Sequence, residues 1–192
     1  MTRIGIIRHG TTAWNKERRA QGSSDIPLDQ DGIAQARQLA ERMKNEKWDY
    51  IYSSNLSRAQ QTAEVVAEKL GIPVQVDPRI REVGGGLIEG TTPAERVEKW
   101  GEKWWEEDLQ FEPTEKVISR GLSFFDEISE KHRDKNILVV SHGSFIKHLV
   151  KEIVPLFKVD ESLKNTSVTV LDKNDEGWDC SLFNCTKHLK EI

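Results

Sequence analysis

The sequence is poor in cysteine. Among 192 residues only Cys180 and Cys185 occur, close together near the C-terminus and with no second pair. That argues against a disulfide scaffold, and it reads the two as small thiols in a terminal β hairpin rather than zinc ligands. Long apolar runs are also missing. The N-terminal Met1-Thr2-Arg3 leads into a short run ending at Arg8, too short for a signal peptide or a membrane span. A soluble, cytoplasmic protein without a membrane partner is expected. Excess positive charge is absent: 32 acids against 28 bases leave a net charge of −4. A nucleic-acid partner would call for a basic surface, so none is expected. Any bound anion must be held by a local cluster of cations. No cluster of aspartates marks a magnesium site, so no metal and no other cofactor is expected. Repeats, low-complexity stretches and linkers are missing too. The chain reads as one domain, 1–192, of a size that supports a full core, and it carries no mark of an oligomeric state.

What is present alternates between two periods. Arg3–Ile7, Trp48–Ser53 and Asn136–Ser141 are short, apolar and rich in β-branched residues, as suits strands covered on both faces. Between them lie helical stripes: Ile33, Ala36, Ala40 and Met43; then Ala59, Ala63, Val66 and Leu70, stopped by Gly71 and Pro73; then Ile118, Leu122, Phe125 and Ile128. A fourth helix is expected after Ser144. Ser167–Leu171 and Trp178–Phe183 read as strands joined by the turn Asn174-Asp175-Glu176-Gly177, forming an antiparallel edge. This alternation predicts an α/β sandwich with a mostly parallel sheet. The segment 93–113 stands apart. It carries Trp100, Trp104 and Trp105 among many charges and reads as a helical excursion. Its tryptophans either cap the core or form a lid over a pocket.

In open α/β sheets, ligands bind beyond the carboxyl ends of the strands. The first strand is followed there by Arg8, His9 and Gly10. The second is followed by Ser53 and Ser54, then Arg58 at a helix start, and the third by His142 and Gly143. Two arginines and two histidines converge on one end of the sheet. Arginine matches phosphate oxygens, and helix starts after Ser54 and Gly143 would add free amides. Gly10 and Gly143 would let a ligand approach closely. His132 and His188 sit in charged stretches and read as solvated. His148, six residues after His142, reads as structural.

Ile6-Ile7-Arg8-His9-Gly10-Thr11-Thr12-Ala13-Trp14-Asn15 resembles the signature of the histidine phosphatase superfamily, in its phosphoglycerate mutase-like branch. The resemblance continues through Gln21-Gly22, Asp25-Ile26-Pro27-Leu28, Gly32, Tyr52 to Ala63, Arg81-Glu82, Glu89-Gly90 and Val140-Ser141-His142-Gly143. It covers nearly the whole chain and implies a three-layer α/β/α sandwich.

The resemblance implies a covalent mechanism. His9 would attack phosphorus, form a phosphohistidine and release it to water. Arg8, Arg58 and His142 match the family's phosphate pocket, with Asn15 beside them. Thr11, Gln21, Gly22 and Gly143 are further candidate contacts. Glu82 matches the proton donor to the leaving alkoxide. His9 must be neutral to attack, and Arg8 and Arg58 would favour that state. Glu82 must be protonated to act as an acid.

Three functions fit this pattern. One is a phosphomonoesterase acting on small phosphorylated metabolites. Another is a cofactor-dependent phosphoglycerate mutase. The third is a phosphate-binding regulatory protein with weak or no catalysis. The family's mutases carry glutamate after Arg-His-Gly, where this chain has Thr11, and they carry longer basic insertions. The phosphatase branch therefore resembles it more. One departure stands out: Gly84-Gly85-Gly86 occupies a stretch where the family carries bulkier residues. Three glycines are expected to loosen the loop that carries Glu82.

Overall fold

The computed structural model describes residues 1–190; Glu191 and Ile192, the end of the expected 1–192 domain, lie outside the described residues. β1 spans Thr2–Arg8 and is followed by a short helix α1, Ala13–Lys16, and a long one, α2, Gln30–Lys44. β2 (Tyr50–Ser53) leads into α3 (Ser57–Leu70) and then β3 (Val74–Val76). Next come α4 (Pro93–Trp100) and α5 (Thr114–Lys131). β4 (Asn136–Ser141), α6 (Gly143–Ile153), β5 (Val168–Asn174) and β6 (Gly177–Cys185) follow.

The six strands form one sheet in the order β3-β2-β4-β1-β5-β6. The first four run parallel, β5 is antiparallel to β1, and β6 is antiparallel to β5. The mostly parallel sheet and antiparallel edge thus form as the alternation predicts. Side chains alternate across the sheet with period two. Ile4, Ile6, Tyr52, Ile137 and Val139 face a core with Phe124, Phe125, Phe145 and Leu149 from α5 and α6. Ile7, Ile51, Leu138 and Val140 face the other, with Leu39, Met43, Ala59 and Val66 from α2 and α3. Two helical layers therefore cover both faces, which is why the strands read as continuous apolar runs.

Several expectations need correction. β3 has no counterpart in the sequence reading, because a three-residue edge strand after Pro73 is too short to show a period. β2 begins at Tyr50, not Trp48. On α5 the buried face is Val117, Gly121, Phe124, Phe125 and Ile128, and Ile118 and Leu122 are only half-buried. Phe124 brings more apolar area to the core, so its side of the helix turns inward. His132 is buried, not solvated. Its Nε2 lies 2.7 Å from the Tyr52 hydroxyl and its ring stacks on Tyr50. His188 is half-buried against Arg42 and Thr166, and burial followed by the Arg42 charge brings its pKa down to about 4.

The tryptophan excursion does not cap the core. α4 has no buried residue, and Trp105 is 61% exposed. Thr92 caps α4 through a reciprocal bond pair with Glu95, and the aromatic rings take cationic partners: Arg96 over Trp104 and Lys99 over Trp100. No described helix is long and apolar enough to cross a membrane.

Candidate active site

Backbone bonds bring three strand ends to one level. The His9 amide donates to Ser141 O and the Ser54 amide to Val140 O, each at 3.0 Å. His9 sits just past β1, His142 just past β4, and Arg58 in the first turn of α3. Thr166 donates its amide to Arg8 O and His9 O, and the Asn165 side chain donates to His9 O at 3.1 Å. These two residues brace the segment from just before β5, the strand paired beside β1, and no sequence signal singled them out.

His9 is 2% exposed. Its Nδ1 lies 2.6 Å from Gly10 O. A carbonyl only accepts, so Nδ1 carries the proton and Nε2 keeps its lone pair. Burial, and then the charges of Arg8 and Arg58, hold its pKa well below the ordinary imidazole value, against the opposing pull of the Gly10 carbonyl. The ring is thereby held neutral, and its second nitrogen keeps an available lone pair.

Around it are buried nitrogens without partners. Arg58 is fully buried and donates through Nη1 to Ser24 O and through Nη2 to Gly22 O, but its Nε is unpaired. Burial brings its pKa down to about 10, which leaves it charged at neutral pH. Arg8 donates to Leu163 O, and its Nε is likewise buried and unpaired. His142 Nε2 lies 2.8 Å from Ser54 Oγ, its Nδ1 has no partner, and its ring centroid is 5.2 Å from that of His9. Burial first, and then the charge of Arg58, lower the His142 pKa too. Buried polar groups left unpaired cost free energy unless they serve a purpose. Three of them beside one neutral histidine suit an anion whose oxygens would satisfy them.

A cleft of about 450 Å³ opens over this cluster. Arg8, His9, Asn15, Gln21, Gly22, Arg58 and Glu82 line it, with Val83, Ile88 and Phe111 as an apolar wall. The Glu82 carboxylate accepts the amides of Val83 at 2.8 Å, Phe145 at 2.9 Å and Ser144 at 3.3 Å, so it rests on the N-terminus of α6. Asn15 closes the cap of α1 by accepting from the Thr12 amide. Gln21 accepts from the Thr12 hydroxyl at 2.8 Å.

Some candidates lie elsewhere. Thr11 turns away: its amide and hydroxyl both donate to Gln35, and it does not line the cleft. The two glycines make room for protein rather than ligand. A Cβ on Gly10 would meet Gly32 O at 2.7 Å, and one on Gly143 would meet Arg8 Nε at 3.3 Å. His148, read as structural, lines the cleft mouth, with Nδ1 2.8 Å from Ser144 O. The tryptophans do not line the cleft; Phe111 and Glu112 from the tail of the same segment do, with Thr114 at the start of α5.

The glycine loop is pinned, not loose. The Gly84 amide donates to Glu112 Oε2 and the Gly85 amide to Glu89 Oε2, both at 2.9 Å. Gly86 has φ +54°, and a Cβ there would meet Leu109 O at 2.1 Å. Glycine is therefore required for close packing against the 109–112 strand of chain. Burial would raise the Glu89 pKa, but bonds from Ser24, Ser23 and Gly85 outweigh it and lower the value. Among the described residues no three His, Cys, Asp or Glu side chains group as metal ligands.

Comparison with known proteins identifies relatives of this chain. The family model for the histidine phosphatase superfamily (branch 1) matches residues 4–186. The uncharacterized phosphatase PhoE of Bacillus subtilis is 31% identical over 191 residues, covering 98% of this chain and 97% of that protein. Phosphoglycerate mutase-like protein 4 of Arabidopsis thaliana is 33% identical over 200 residues, covering 98% and 87%. Among solved structures, a phosphoserine phosphatase mutant from Entamoeba histolytica in complex with phosphoserine superposes with a TM-score of 0.83 at 28% identity, covering 99% of this chain and all of the other.

Proposed function

This chain belongs to the histidine phosphatase superfamily, and we propose that it hydrolyses small phosphomonoesters through a phosphohistidine on His9, without a metal. The observation that carries this reading is the neutral, buried His9 among the unpaired donors of Arg8, Arg58 and His142. Phosphatase and mutase-like relatives and a phosphoserine-bound neighbour support it.

In the first step His9 Nε2 forms a bond to phosphorus as the ester P–O bond breaks. Glu82 gives its proton to the leaving oxygen, and the alcohol departs. In the second step water attacks the phosphohistidine and the P–N bond breaks. Glu82 takes the proton from water, and phosphate leaves with His9 neutral again. The sum is ester plus water giving alcohol plus phosphate. Arg8, Arg58 and His142 hold the equatorial oxygens throughout, where transition-state charge resides. Asn15, Gln21 and Gly22 line the rest of the anion site. The apolar wall of Val83, Ile88 and Phe111 receives the alcohol. A cytoplasmic setting, small phosphate esters as partners, and a single domain without cofactor belong to the same reading.

The test is one assay in EDTA with p-nitrophenyl phosphate and, separately, phosphoglycerate with and without bisphosphoglycerate. Phosphate release in EDTA, with an acid-labile phosphoprotein trapped by rapid quench, is expected. Isomerisation without release would make the chain a mutase, and silence on both esters would make it a phosphate-binding protein.

A further inference from the structure

Glu82 is held at two ends, and one residue that lines no part of the cleft touches both. At the backbone end, Arg120 on α5 donates through Nη1 to Arg79 O at 2.6 Å and Arg81 O at 2.8 Å, and through Nη2 to Glu82 O at 3.1 Å. The side-chain end of Glu82 is bound by the Phe145 amide at 2.9 Å, and the Arg120 guanidinium lies over the Phe145 ring, 5.0 Å from its centroid. The rest of the guanidinium is taken by Glu112, through Nε to Oε1 at 2.9 Å and Nη2 to Oε2 at 3.1 Å. Glu112 Oε2 also accepts the Gly84 amide, and the Glu112 amide donates to Gly84 O, both at 2.9 Å. Both side chains of the pair are nearly buried, at 9% and 8% exposure.

A forked, bidentate pair of this kind fixes geometry as well as charge, and lysine cannot reproduce it. We propose that Arg120, braced by Glu112, is the positioning residue that sets Glu82 in the cleft, so that proton delivery to the leaving oxygen depends on a side chain that touches no substrate. The inference rests on Glu82 being the acid. It reaches beyond that role to explain why three glycines leave the acid loop ordered: the loop is stapled from outside by a pair drawn from the excursion tail and α5. In the first step, a misplacement of the acid by a fraction of an ångström weakens transfer from an ester whose leaving oxygen needs a proton and spares transfer from one whose leaving oxygen does not.

Leaving-group dependence reads this directly. A p-nitrophenolate departs without a proton, and a glycerol alkoxide does not. Arg120→Lys keeps a cation beside Glu112 but removes the fork. In kcat/KM, which reports formation of the phosphohistidine and not its hydrolysis, it is expected to lower the value for glycerol phosphate by about ten- to hundredfold while that for p-nitrophenyl phosphate changes by less than about threefold. Equal loss on both esters, or none on either, overturns the proposal. Where Arg120→Lys does not fold, Arg120→Gln, which keeps an amide donor but removes the fork and the charge, is read by the same two outcomes. Glu82→Gln runs beside them. A selective loss there with none in the Arg120 variant overturns the clamp alone. Equal loss on both esters in Glu82→Gln overturns the acid role itself, and the clamp with it.

Discussion

The anion pocket and the wall facing it are built in opposite ways. In the pocket, His9, His142 and Arg58 follow closely on parallel strands, and each is positioned by the sheet beneath it. In the wall, the 83–113 segment contributes no strand to that sheet. It is held by side chains that reach across the sequence, such as Glu112 to the Gly84 amide and Glu89 to Ser23 and Ser24. The difference separates two tasks. In the proposed reading, the sheet supplies the phosphate chemistry through few residues, and the wall braces the loop that follows Glu82 and lines the alcohol side through many weak holds.

The sharpest way to break this comparison is His9→Ala. Turnover of every ester is expected to fall by about ten-thousandfold or more, because the ring nitrogen that would bond to phosphorus is lost. Steady-state rates on good and poor leaving groups check it; retained activity would remove His9 from the chemistry. Next is Gly86→Ala in the wall. The methyl would sit 2.1 Å from Leu109 O at a left-handed φ. A loss of roughly 1–3 kcal/mol is expected in urea denaturation. An unchanged midpoint would mean the loop is as loose as its composition suggests.

Acid pH probes the buried histidines, those of the pocket foremost. In the unfolded chain His9 and His142 bind protons near the ordinary value of 6.5, and in the folded chain only well below it. Above that pH both states are neutral and nothing is lost. As pH falls below it the unfolded chain takes protons that the native state refuses, so stability falls, by up to about 1.4 kcal/mol per pH unit per histidine. His188 adds a slope of the same sign down to about 4. Urea midpoints from neutral to mildly acid pH measure it, and His142→Gln should flatten the curve. A midpoint that rises on acidification would contradict buried neutral histidines. The smallest effect is expected for Trp105→Ser: kcat/KM unchanged and stability within about 0.5 kcal/mol. A large rise in KM would restore the tryptophans as a lid.

Legibility followed the same division. Arg8, His9, Arg58 and His142 were readable because a buried parallel strand shows as an apolar run, and the residue after it is bound to stand at the sheet's edge. Asn165 and Thr166 were not, because they reach His9 from more than 150 positions away along the chain. The face of α5 was misjudged because the period alone does not choose between Ile118 and Phe124. His132 read as solvated because its neighbours are charged, yet its ring lies between two tyrosines of β2.

By itself the sequence determined five of the six strands, the parallel core and antiparallel edge, and the residues that gather at the sheet's carboxyl end. Those follow from local periodicity and from the geometry of strands. Only the tertiary structure decided that Thr11 faces Gln35, that Gly10 and Gly143 yield space to protein, and that a glycine-rich loop is stapled by Arg120 and Glu112. Side-chain bonds between distant segments carry no period, so composition alone read that loop as loose where packing makes it firm.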